Sequence, residues 1–391
     1  MKMIPDVRVA TGFYTNWDSF IKVDEKVLDW IKKGGKAKPK TGQVVLDSLE
    51  EALYTLEEAL RYGGKEFLIS KEVYDELNSF FSSRERRLGG NGCNMGRTLY
   101  ELGLNPLVSY PCRPVKLMLK SPDFKVACKD GFRTPKQANR VEDPEYDHLI
   151  FEFKEDQQKE IYVSGRHILS WDLMSFYGMF DEDFFVYAFN QKYTDILIFG
   201  YAHLLLPSHK EKTREIADRL EEGRRPKVHF EFGQGSEESL RYAMKIFADK
   251  QCTDSWGLNE KECVQYFFAE SEKLEDLEES VLEAIKKYGL NRICVHTPNF
   301  AFSIFRRGDP RREMEALRRG CLITAALTMG GIKENLVSGI NLPKTEVEAK
   351  TEKIEAGYTL CLVPAYSNPN PKVLTGLGDA FSAVQAVISL A

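Results

Sequence analysis

The C-terminal segment places two glycines and an aspartate directly before a predicted helix. It reads Thr375-Gly-Leu-Gly-Asp379, and apolar spacing predicts a helix over 381–390. Gly376 and Gly378 allow the backbone to approach a phosphate closely, and the helix N-terminus presents unpaired N–H groups and positive partial charge. Asp379 at that position can accept the proton of an incoming hydroxyl during phosphoryl transfer. The alternative is a glycine turn in which Asp379 only caps the helix.

Two further motifs contain carboxylates that could hold magnesium. In Val228–Phe232 the apolar residues alternate, so His229 and Glu231 share the opposite face of a predicted strand. Asn259 and Glu262 have the spacing of a capping box, and capping alone explains that pattern. Magnesium could be bound by these carboxylates directly or through water. A solvated strand face is the alternative for the first motif.

Polar residues in three other segments could contact a ligand. Asn16 and Asp18 follow the predicted strand Val7–Tyr14, and a carboxylate accepts directional hydrogen bonds from sugar hydroxyls. A plain turn is the alternative for this pair. The Gly89–Gly92 segment opens a predicted helix but lacks the glycine spacing of a dinucleotide fingerprint. His296 follows an apolar strand, where a core histidine is more common than a ligand.

The elements that must position these residues change in character along the chain. From residue 180 onward, predicted strands and helices alternate, which indicates an α/β fold with a doubly wound, mostly parallel sheet. Between Leu107 and Asp172, short β-rich runs are separated by polar turns, which indicates a small lid. We predict a large nucleotide-binding and catalytic domain of residues 1–16, 46–106 and 175–391. The predicted lid over the sugar site comprises residues 17–45 and 107–174.

Composition excludes several classes of protein. The 391 residues carry a net charge of −5, which argues against a nucleic-acid or anionic-membrane partner. No run approaches the roughly 18 apolar residues of a membrane helix, and the N-terminus lacks the apolar core of a secretory signal. The 8 cysteines show no CxxC pairing, so we expect reduced thiols and a cytoplasmic location.

The order of these motifs resembles the ADP-dependent glucokinase and phosphofructokinase family, the ADP-using branch of the ribokinase superfamily. The resemblance covers nearly the whole chain and implies a ribokinase-like fold with a smaller β-rich lid. It rests on the segments FYTNWD, RRLGGNGCNMGRTL, HLIFEF, GRHI, IFGYAHL, VHFEF, GLNEKE, ICVHT, LVP and GLGDAFSA.

The resemblance also implies roles for individual residues. Asp379 would be the catalytic base, with Gly376 and Gly378 forming the anion hole. Glu231 and Glu262 would bear on magnesium. The implied nucleotide-binding residues are Asn259, His296, Thr297 and Val363. The implied sugar-binding residues are Asn16, Asp18, Gly89, Gly90, Asn91 and Arg166. In phosphofructokinase members the arginine matching the last of these reaches the substrate phosphate.

The chain departs from the family pattern in its substrate loops more than in its catalytic segment. Family members are often longer, with an N-terminal helical extension and a fuller lid. The usual GGQAG or GGNAG loop is replaced by Gly89–Cys93, and Gly165 replaces the asparagine before the substrate arginine. Ala380 follows the aspartate in place of the usual threonine. These differences bear on the identity of the sugar more than on the reaction.

The resemblance therefore implies an enzyme that transfers the β-phosphoryl group of ADP to a sugar hydroxyl, releases AMP and requires Mg²⁺. We expect a sugar phosphate acceptor such as fructose 6-phosphate or ribose 1-phosphate, with phosphate contacts from Arg166, Lys116, Lys120 and Lys125. The alternatives are an ADP-dependent glucokinase, an ATP-dependent sugar or nucleoside kinase of the ribokinase family, and a catalytically silent sugar- or nucleotide-binding protein. We expect a monomer or a small homo-oligomer.

Overall fold

The described part of the chain forms two compact units. A computed structural model describes residues 3–43, 45–81, 84–172, 176–200, 208–221, 224–233, 236–338 and 340–391. The larger unit comprises Met1–Thr15, Asn91–Val141 and Phe180–Ala391. The smaller unit comprises Asn16–Gly90 and Glu142–Met179. Residues 201–204 of the IFGYAHL segment and the predicted domain boundary at residue 175 lie outside the described residues.

The strands and helices are numbered in chain order through both units. The strands are β1 (Val9–Gly12), β2 (Asn16–Lys22), β3 (Val45–Leu46), β4 (Glu66–Ile69), β5 (Glu85–Gly89), β6 (Leu107–Val108), β7 (Val126–Cys128), β8 (Gly131–Arg133), β9 (Asp147–Phe153), β10 (Gly165–Ser170), β11 (Ile196–Gly200), β12 (Lys227–Glu231), β13 (Ser255–Asn259), β14 (Arg292–His296), β15 (Phe300–Phe305), β16 (Lys350–Lys353) and β17 (Thr359–Pro364). The helices are α1 (Glu25–Lys33), α2 (Leu49–Tyr62), α3 (Lys71–Phe80), α4 (Asn91–Glu101), α5 (Val115–Lys120), α6 (Pro135–Ala138), α7 (Glu182–Ala188), α8 (His209–Glu221), α9 (Glu237–Asp249), α10 (Glu260–Phe267), α11 (Leu274–Tyr288), α12 (Pro310–Thr328), α13 (Ile332–Ser338) and α14 (Leu377–Leu390).

The sheet of the larger unit is mostly parallel. Its described strands lie in the order β16-β17-β15-β14-β13-β12-β11-β1-β6. Neighbours from β14 to β6 run parallel, whereas β15, β17 and β16 are added antiparallel. Glu231, Asn259 and His296 are the last residues of three adjacent parallel strands. The parallel arrangement therefore brings three predicted site residues to one edge of the sheet.

Helices cover both faces of this sheet because its strands are apolar on both sides. Leu197 and Phe199 pack in one hydrophobic cluster with residues of α8, α9 and α11. Ile196 and Ile198 point the other way and pack with α4, α12 and α14. This confirms the predicted doubly wound α/β architecture, in which strand residues alternate between two helical layers.

The smaller unit has a sheet of mixed direction covered by helices on one face. Its described strands lie in the order β3-β4-β10-β9-β2-β5. Leu53, Leu56 and Leu60 of α2 pack with strand residues such as Phe151 and Leu169 in one buried cluster. Helix α2 begins at Ser48, whose hydroxyl accepts the Glu51 N–H, as is typical of an N-cap.

These units have different boundaries from the predicted domains. Residues 46–90 lie in the smaller unit, because β3 and β4 extend its sheet beside β10 and β5 pairs with β2. Residues 107–141, predicted as lid, lie in the larger unit. There β6 pairs in parallel with β1, and the buried Arg113 contacts Asp181 before α7.

Two further consequences follow for the predicted residues. Asn16 and Asp18 do not end the first strand but lie within β2, in the smaller unit. Lys116, Lys120 and Lys125, which were predicted to lie in the lid, belong to the larger unit. Among the described residues, no helix is both long and apolar enough to span a membrane. All 8 cysteines are free thiols, and Cys128 alone among them is not fully buried.

Candidate active site

The N-terminus of α14 presents Asp379 within the first turn of the helix. Gly376 is the N-cap and has a left-handed backbone with φ of 70°, a conformation that glycine adopts at little cost. Among the described residues, no side chain caps this helix end, and the first N–H groups of a helix have no partner within the helix. Asp379 is the third helical residue rather than the N-cap. Asp379 is therefore not the N-cap residue of the alternative, and its role as the base stays a prediction.

Asn94 is a residue of this site that the sequence analysis missed. It lies on α4, and its Nδ2 donates a hydrogen bond of 2.9 Å to Oδ2 of Asp379. A methyl group added at Gly376 would approach the Asn94 amide to 3.1 Å, so the glycine turn and this side chain lie against each other. The contact orients the Asp379 carboxylate.

Gly378 brings the same helix turn close to His296. A Cβ at position 378 would lie 2.9 Å from Cε1 of His296, which is closer than real Cβ contacts allow. The ring of His296 also lies 5.2 Å from the ring of Phe381, centre to centre. Glycine at 378 therefore permits the imidazole at the end of β14 to reach the N-terminus of α14.

Glu231 is held between two imidazoles. Its Oε1 lies 3.1 Å from Nε2 of His296, and its Oε2 lies 3.2 Å from Nε2 of His229. Burial alone would raise the pKa of Glu231, but the hydrogen bonds with both histidines hold it at about 2. His229 is fully buried and Glu231 nearly so, and the alternative of a solvated strand face is therefore wrong.

The two histidines differ in their surroundings. Burial lowers the pKa of His229 despite its hydrogen bond to Glu231. Burial acts in the same direction on His296, but the hydrogen bond and charge of Glu231 raise the pKa of His296 above its ordinary value. The side chain of His296 also keeps 19% of its surface exposed. The geometry thus provides a readily protonated imidazole beside the N-terminus of α14.

Asn259 and Glu262 form the predicted capping box. The Asn259 side chain accepts the Glu262 N–H at 2.9 Å, and Oε2 of Glu262 accepts the Asn259 N–H at 2.9 Å. Burial raises the pKa of Glu262 to about 7, and the charge of Glu231 contributes to the shift. The box explains the backbone contacts of Glu262 but leaves its ionised form destabilised by a neighbouring carboxylate.

The carboxylates fit a hydrated magnesium ion better than one held by protein ligands alone. Among the described residues, no group of three or more His, Cys, Asp or Glu side chains is arranged to hold a metal ion. Both oxygens of Glu231 already accept hydrogen bonds from imidazoles, and one oxygen of Glu262 accepts from the backbone. Magnesium usually keeps several waters and takes few protein ligands. The metal roles of Glu231 and Glu262 stay predictions.

Thr297 and Val363 have structural contacts of their own. The Thr297 hydroxyl donates to the Phe300 carbonyl and accepts the N–H groups of Asn299 and Phe300, which closes a turn after β14. Val363 is fully buried within a hydrophobic cluster beside Ala301. The side chain of Val363 is thus part of the core. Its predicted position beside a nucleotide therefore applies to the backbone of this segment and not to the side chain.

Asn91 also has a structural role at the start of α4. Its Oδ1 accepts the Gly92 N–H at 2.7 Å and the Tyr14 N–H at 3.3 Å. A Cβ at Gly200 would collide with the Asn91 amide, so this side chain fills the space next to the end of β11. Its carbonyl oxygen is committed to the backbone, which leaves the amide nitrogen as the group for a ligand.

In the smaller unit, Asn16 and Asp18 lie close together on β2. Asn16 Nδ2 donates to Oδ1 of Asp18 at 2.9 Å. Asn16 is fully buried, and its Oδ1 has no hydrogen-bond partner among the described residues. The Asp18 carboxylate lies directly against Gly89, where any Cβ would collide with it. A buried carbonyl oxygen without a partner is suited to accept a hydrogen bond from a ligand hydroxyl.

A mixed charge cluster lies on the same sheet. Burial raises the pKa of Glu66 to about 7, the charge of Arg166 opposes this shift, and Asp18 adds to it. Arg166 is exposed on β10. Gly90, with φ of 84°, follows β5 and provides the turn into α4. A second carboxyl group and a guanidinium thus lie close enough to Glu66 to act on its charge.

The predicted site residues therefore fall into two sets. The structure brings together Asp379, Gly376, Gly378, His296, Glu231, Asn259 and Glu262 in the larger unit. The smaller unit contains Asn16, Asp18, Gly89, Gly90 and Arg166, and the remaining predicted residues, Asn91, Thr297 and Val363, lie in the larger unit. A carboxylate in the first turn of a helix, next to backbone N–H groups, is an arrangement that phosphoryl transfer can use.

Comparison with known proteins identifies relatives over the whole chain. The profile of the ADP-specific Phosphofructokinase/Glucokinase conserved region matches residues 7–388. An ADP-specific phosphofructokinase of Pyrococcus horikoshii is 25% identical, with 97% of each chain covered. The ADP-specific phosphofructokinase of Pyrococcus furiosus is 22% identical, again with 97% of each chain covered.

Solved structures show the same fold at lower identity. An ADP-dependent kinase in complex with fructose 6-phosphate and ADPβS is 16% identical with a TM-score of 0.81, covering 100% of this chain and 95% of its own. A phosphofructokinase from Pyrococcus horikoshii with AMP is 20% identical with a TM-score of 0.74, covering 99% and 98%. These structures support the ribokinase-like fold predicted for the chain.

Proposed function

The chain belongs to the ADP-specific phosphofructokinase/glucokinase family, and from this membership we propose that it transfers the β-phosphoryl group of ADP to a hydroxyl of a sugar phosphate. It is a phosphotransferase with an alcohol group as acceptor. AMP and a sugar bisphosphate would be the products. Fructose 6-phosphate and ribose 1-phosphate represent the proposed acceptor class, and the cytoplasm is the proposed location.

The observation that carries this proposal is the position of Asp379 in the first turn of α14. The carboxylate is oriented by Asn94 at 2.9 Å and lies beside uncapped helix N–H groups. Asp379 would accept the proton of the attacking hydroxyl, while the N–H groups would stabilise charge on the transferring group. Because phosphoryl transfer has a loose transition state, positioning and charge stabilisation supply most of the acceleration.

Magnesium and the imidazole would complete the charge balance around the phosphates. Bound magnesium supplies positive charge to the phosphate oxygens. Glu262 would hold a water of the hydrated ion, since its carboxylate lies near Glu231 and is destabilised without a cation. His296 would provide a second positive charge next to Gly378, where its imidazole approaches the helix turn.

The smaller unit provides the groups proposed to bind the acceptor. The buried Oδ1 of Asn16 would accept a hydrogen bond from a sugar hydroxyl, and Asp18 would accept others. Arg166 would bind the acceptor phosphate, since its exposed guanidinium offers several donors in a fixed geometry.

A specific observation favours a second candidate, an ADP-dependent glucokinase. Glu66 and Asp18 lie close enough for each charge to act on the other, and both carboxyl groups can bind hydroxyls. Two carboxyl groups near an acceptor site favour a neutral sugar over a phosphorylated one. Arg166 favours the opposite choice, so the acceptor must be measured.

The choice of donor and acceptor gives the first testable prediction. We expect turnover with ADP and a sugar phosphate to exceed turnover with ATP at least tenfold, with AMP as the nucleotide product. ADP and ATP should each be tested with glucose, fructose 6-phosphate, ribose 1-phosphate and a nucleoside, and the nucleotides separated by chromatography. Equal or faster turnover with ATP would contradict the proposed preference for ADP, although the protein would still be a kinase. Faster turnover with glucose would favour the second candidate.

Replacement of Glu262 by glutamine separates its capping role from its proposed magnesium role. Glutamine can still accept the Asn259 N–H, so the capping box should survive. The raised pKa means that ionised Glu262 costs stability above about pH 7 and nothing below about pH 4.5. We therefore expect Glu262→Gln to be more stable than the parent at pH 8, by roughly 1–3 kcal/mol, and equally stable near pH 4.5.

The same variant should show slower turnover and require more magnesium. The measurements are urea unfolding at the two pH values and a magnesium titration of activity. Lys261→Gln, which changes an exposed neighbour on α10, is the control. An unchanged magnesium titration in the folded Glu262→Gln protein would leave capping as the role of this residue.

A further inference from the structure

A buried ion pair lies between the central sheet and helix α12 of the larger unit. Arg292 at the start of β14 is 2% exposed, and Glu313 on α12 is 5% exposed. Nε and Nη2 of Arg292 both donate to Oε1 of Glu313, the first at 2.9 Å. Arg292 also donates to Oγ of Ser255 at 2.7 Å and to Oε1 of Gln385 at 2.6 Å.

The contact with Arg292 leaves the proton of the Ser255 hydroxyl available for a second partner. A guanidinium only donates hydrogen bonds, so Oγ of Ser255 is the acceptor in that contact. Oγ also lies 3.0 Å from Nδ1 of His229. Since the hydroxyl has one proton of its own, it can donate that proton to Nδ1. In this arrangement Nδ1 of His229 carries no hydrogen.

A neutral His229 then carries its proton on Nε2, which faces Oε2 of Glu231 at 3.2 Å. The proton is placed where the carboxylate can accept it. With the proton on Nδ1 instead, the lone pair of Nε2 would face a carboxylate oxygen. Two acceptors in contact inside a buried site are unfavourable, because neither is satisfied there.

The amide of Gln385 favours the opposite position of the His229 proton. Its carbonyl oxygen is fixed by Arg292, so its amide nitrogen faces Nε2 of His229 at 3.3 Å. That amide would favour a bare Nε2. The charged acceptor Glu231 should prevail, since hydrogen bonds with an ionised partner are roughly twice as strong as those between neutral groups.

We propose that Arg292 and Ser255 are positioning residues that fix the proton of His229 on Nε2, so that this histidine holds the Glu231 carboxylate against His296. We call Glu313, Arg292, Ser255, His229 and Glu231 the buried network. It starts at Glu313 on α12 and ends at Glu231, which contacts the His296 imidazole beside Gly378. The position of the proton follows from the contacts alone, whereas its effect on turnover rests on the proposed function.

Nitrogen-15 NMR of protein labelled only at histidine tests the position of the proton directly. The signals of His229 are identified from their loss in a His229→Asn variant. We expect a neutral ring with the proton on Nε2 in the parent protein. A parent ring protonated on Nδ1 would overturn the proposal, whatever reaction the enzyme catalyses. This measurement is made on the parent protein, so it does not depend on the folding of Ser255→Ala.

Replacement of Ser255 by alanine tests the consequence. Loss of the hydroxyl removes the hydrogen-bond donor to Nδ1 of His229, so we expect the nitrogen-15 signals of His229 to shift, turnover to fall roughly tenfold, and the KM for nucleotide to change less than about threefold. Ser303→Ala is the matched control, since Ser303 is a fully buried serine of the same sheet whose hydroxyl has no hydrogen-bond partner among the described residues.

The outcomes are distinguishable from failure of the proposed function. If neither the parent nor Ser255→Ala phosphorylates a sugar, the NMR signals of His229 still test the buried network. If the parent is active and Ser255→Ala keeps both its turnover and its His229 signals, matching Ser303→Ala, then Ser255 does not position His229 and the proposal is wrong.

Discussion

Replacement of Asp379 by asparagine should remove most turnover while the protein remains folded and binds nucleotide. Asparagine preserves the size of the side chain and can still accept a hydrogen bond from Asn94 through its carbonyl oxygen. It cannot accept the proton of the attacking hydroxyl, and a general base typically contributes roughly 10²–10⁴-fold. Nucleotide affinity should be unchanged or slightly higher, because a negative charge near the phosphates is removed and the helix N–H groups remain.

Asp276→Asn provides a control of equal charge change. Asp276 is also the third residue of a helix in the larger unit, α11, which begins at Leu274. Both variants should lose a similar, small amount of helix stability, so their melting temperatures should be close. Steady-state kinetics should differ by at least two orders of magnitude. If Asp379→Asn works nearly as well as Asp276→Asn, Asp379 is not the base.

Replacement of Glu231 by glutamine is expected to affect both stability and turnover. The carboxylate accepts from His229 and His296, and a glutamine amide would direct a donor at one of them. The pKa of about 2, compared with an ordinary 4.5, corresponds to about 3 kcal/mol of stability at neutral pH. Turnover should fall roughly 10- to 100-fold, since His296 loses its support beside α14.

The pH dependence of this loss follows from the direction of the shift. A lowered pKa stabilises the fold above about pH 4.5, and the stabilisation disappears as the pH falls towards 2. The difference in unfolding free energy between parent and Glu231→Gln should therefore shrink by about 3 kcal/mol over that range. For Glu262→Gln, the difference in unfolding free energy between parent and variant should have the opposite sign near neutral pH, because this variant is expected to be the more stable protein. A difference that does not vary with pH would contradict the proposed contacts of Glu231.

Much of the fold follows from local pattern in the sequence. The apolar runs at 196–200 and 292–296 are buried strands, since a parallel sheet covered on both faces requires apolar side chains on both faces. The cap residues Ser48 and Asn259 begin α2 and α10 as their side chains predict. Because parallel strands end at one edge, the sequence could also place Glu231 and His296 together.

The division into units could not be read from local texture. Leu107–Val108 looks like one more short β-rich run, yet it is the edge strand of the larger sheet through pairing with β1. Helix α2 has the apolar spacing of any surface helix, and only the pairing of β3 and β4 with β10 assigns it to the smaller unit. Pairing between distant segments decides both cases.

The missed site residues share a physical cause. Asn94 is an ordinary polar residue on a helix, and its contact with Asp379 spans 285 positions of sequence. Arg292 and Glu313 carry charges that usually mark exposed positions, yet each is buried because the other satisfies it. No spacing rule within the chain signals such partners.

Transfer of a label from the β-phosphate of ADP tests the central claim most directly. Parent protein and Asp379→Asn should be incubated with ADP labelled in that phosphate, magnesium and a sugar phosphate acceptor, and the products separated. We expect the label in the sugar product and unlabelled AMP in equal amount from the parent, with at least 100-fold less of both from Asp379→Asn. Label that stays in ADP for every acceptor tested, or that appears only as inorganic phosphate, would contradict ADP-dependent phosphoryl transfer by this chain.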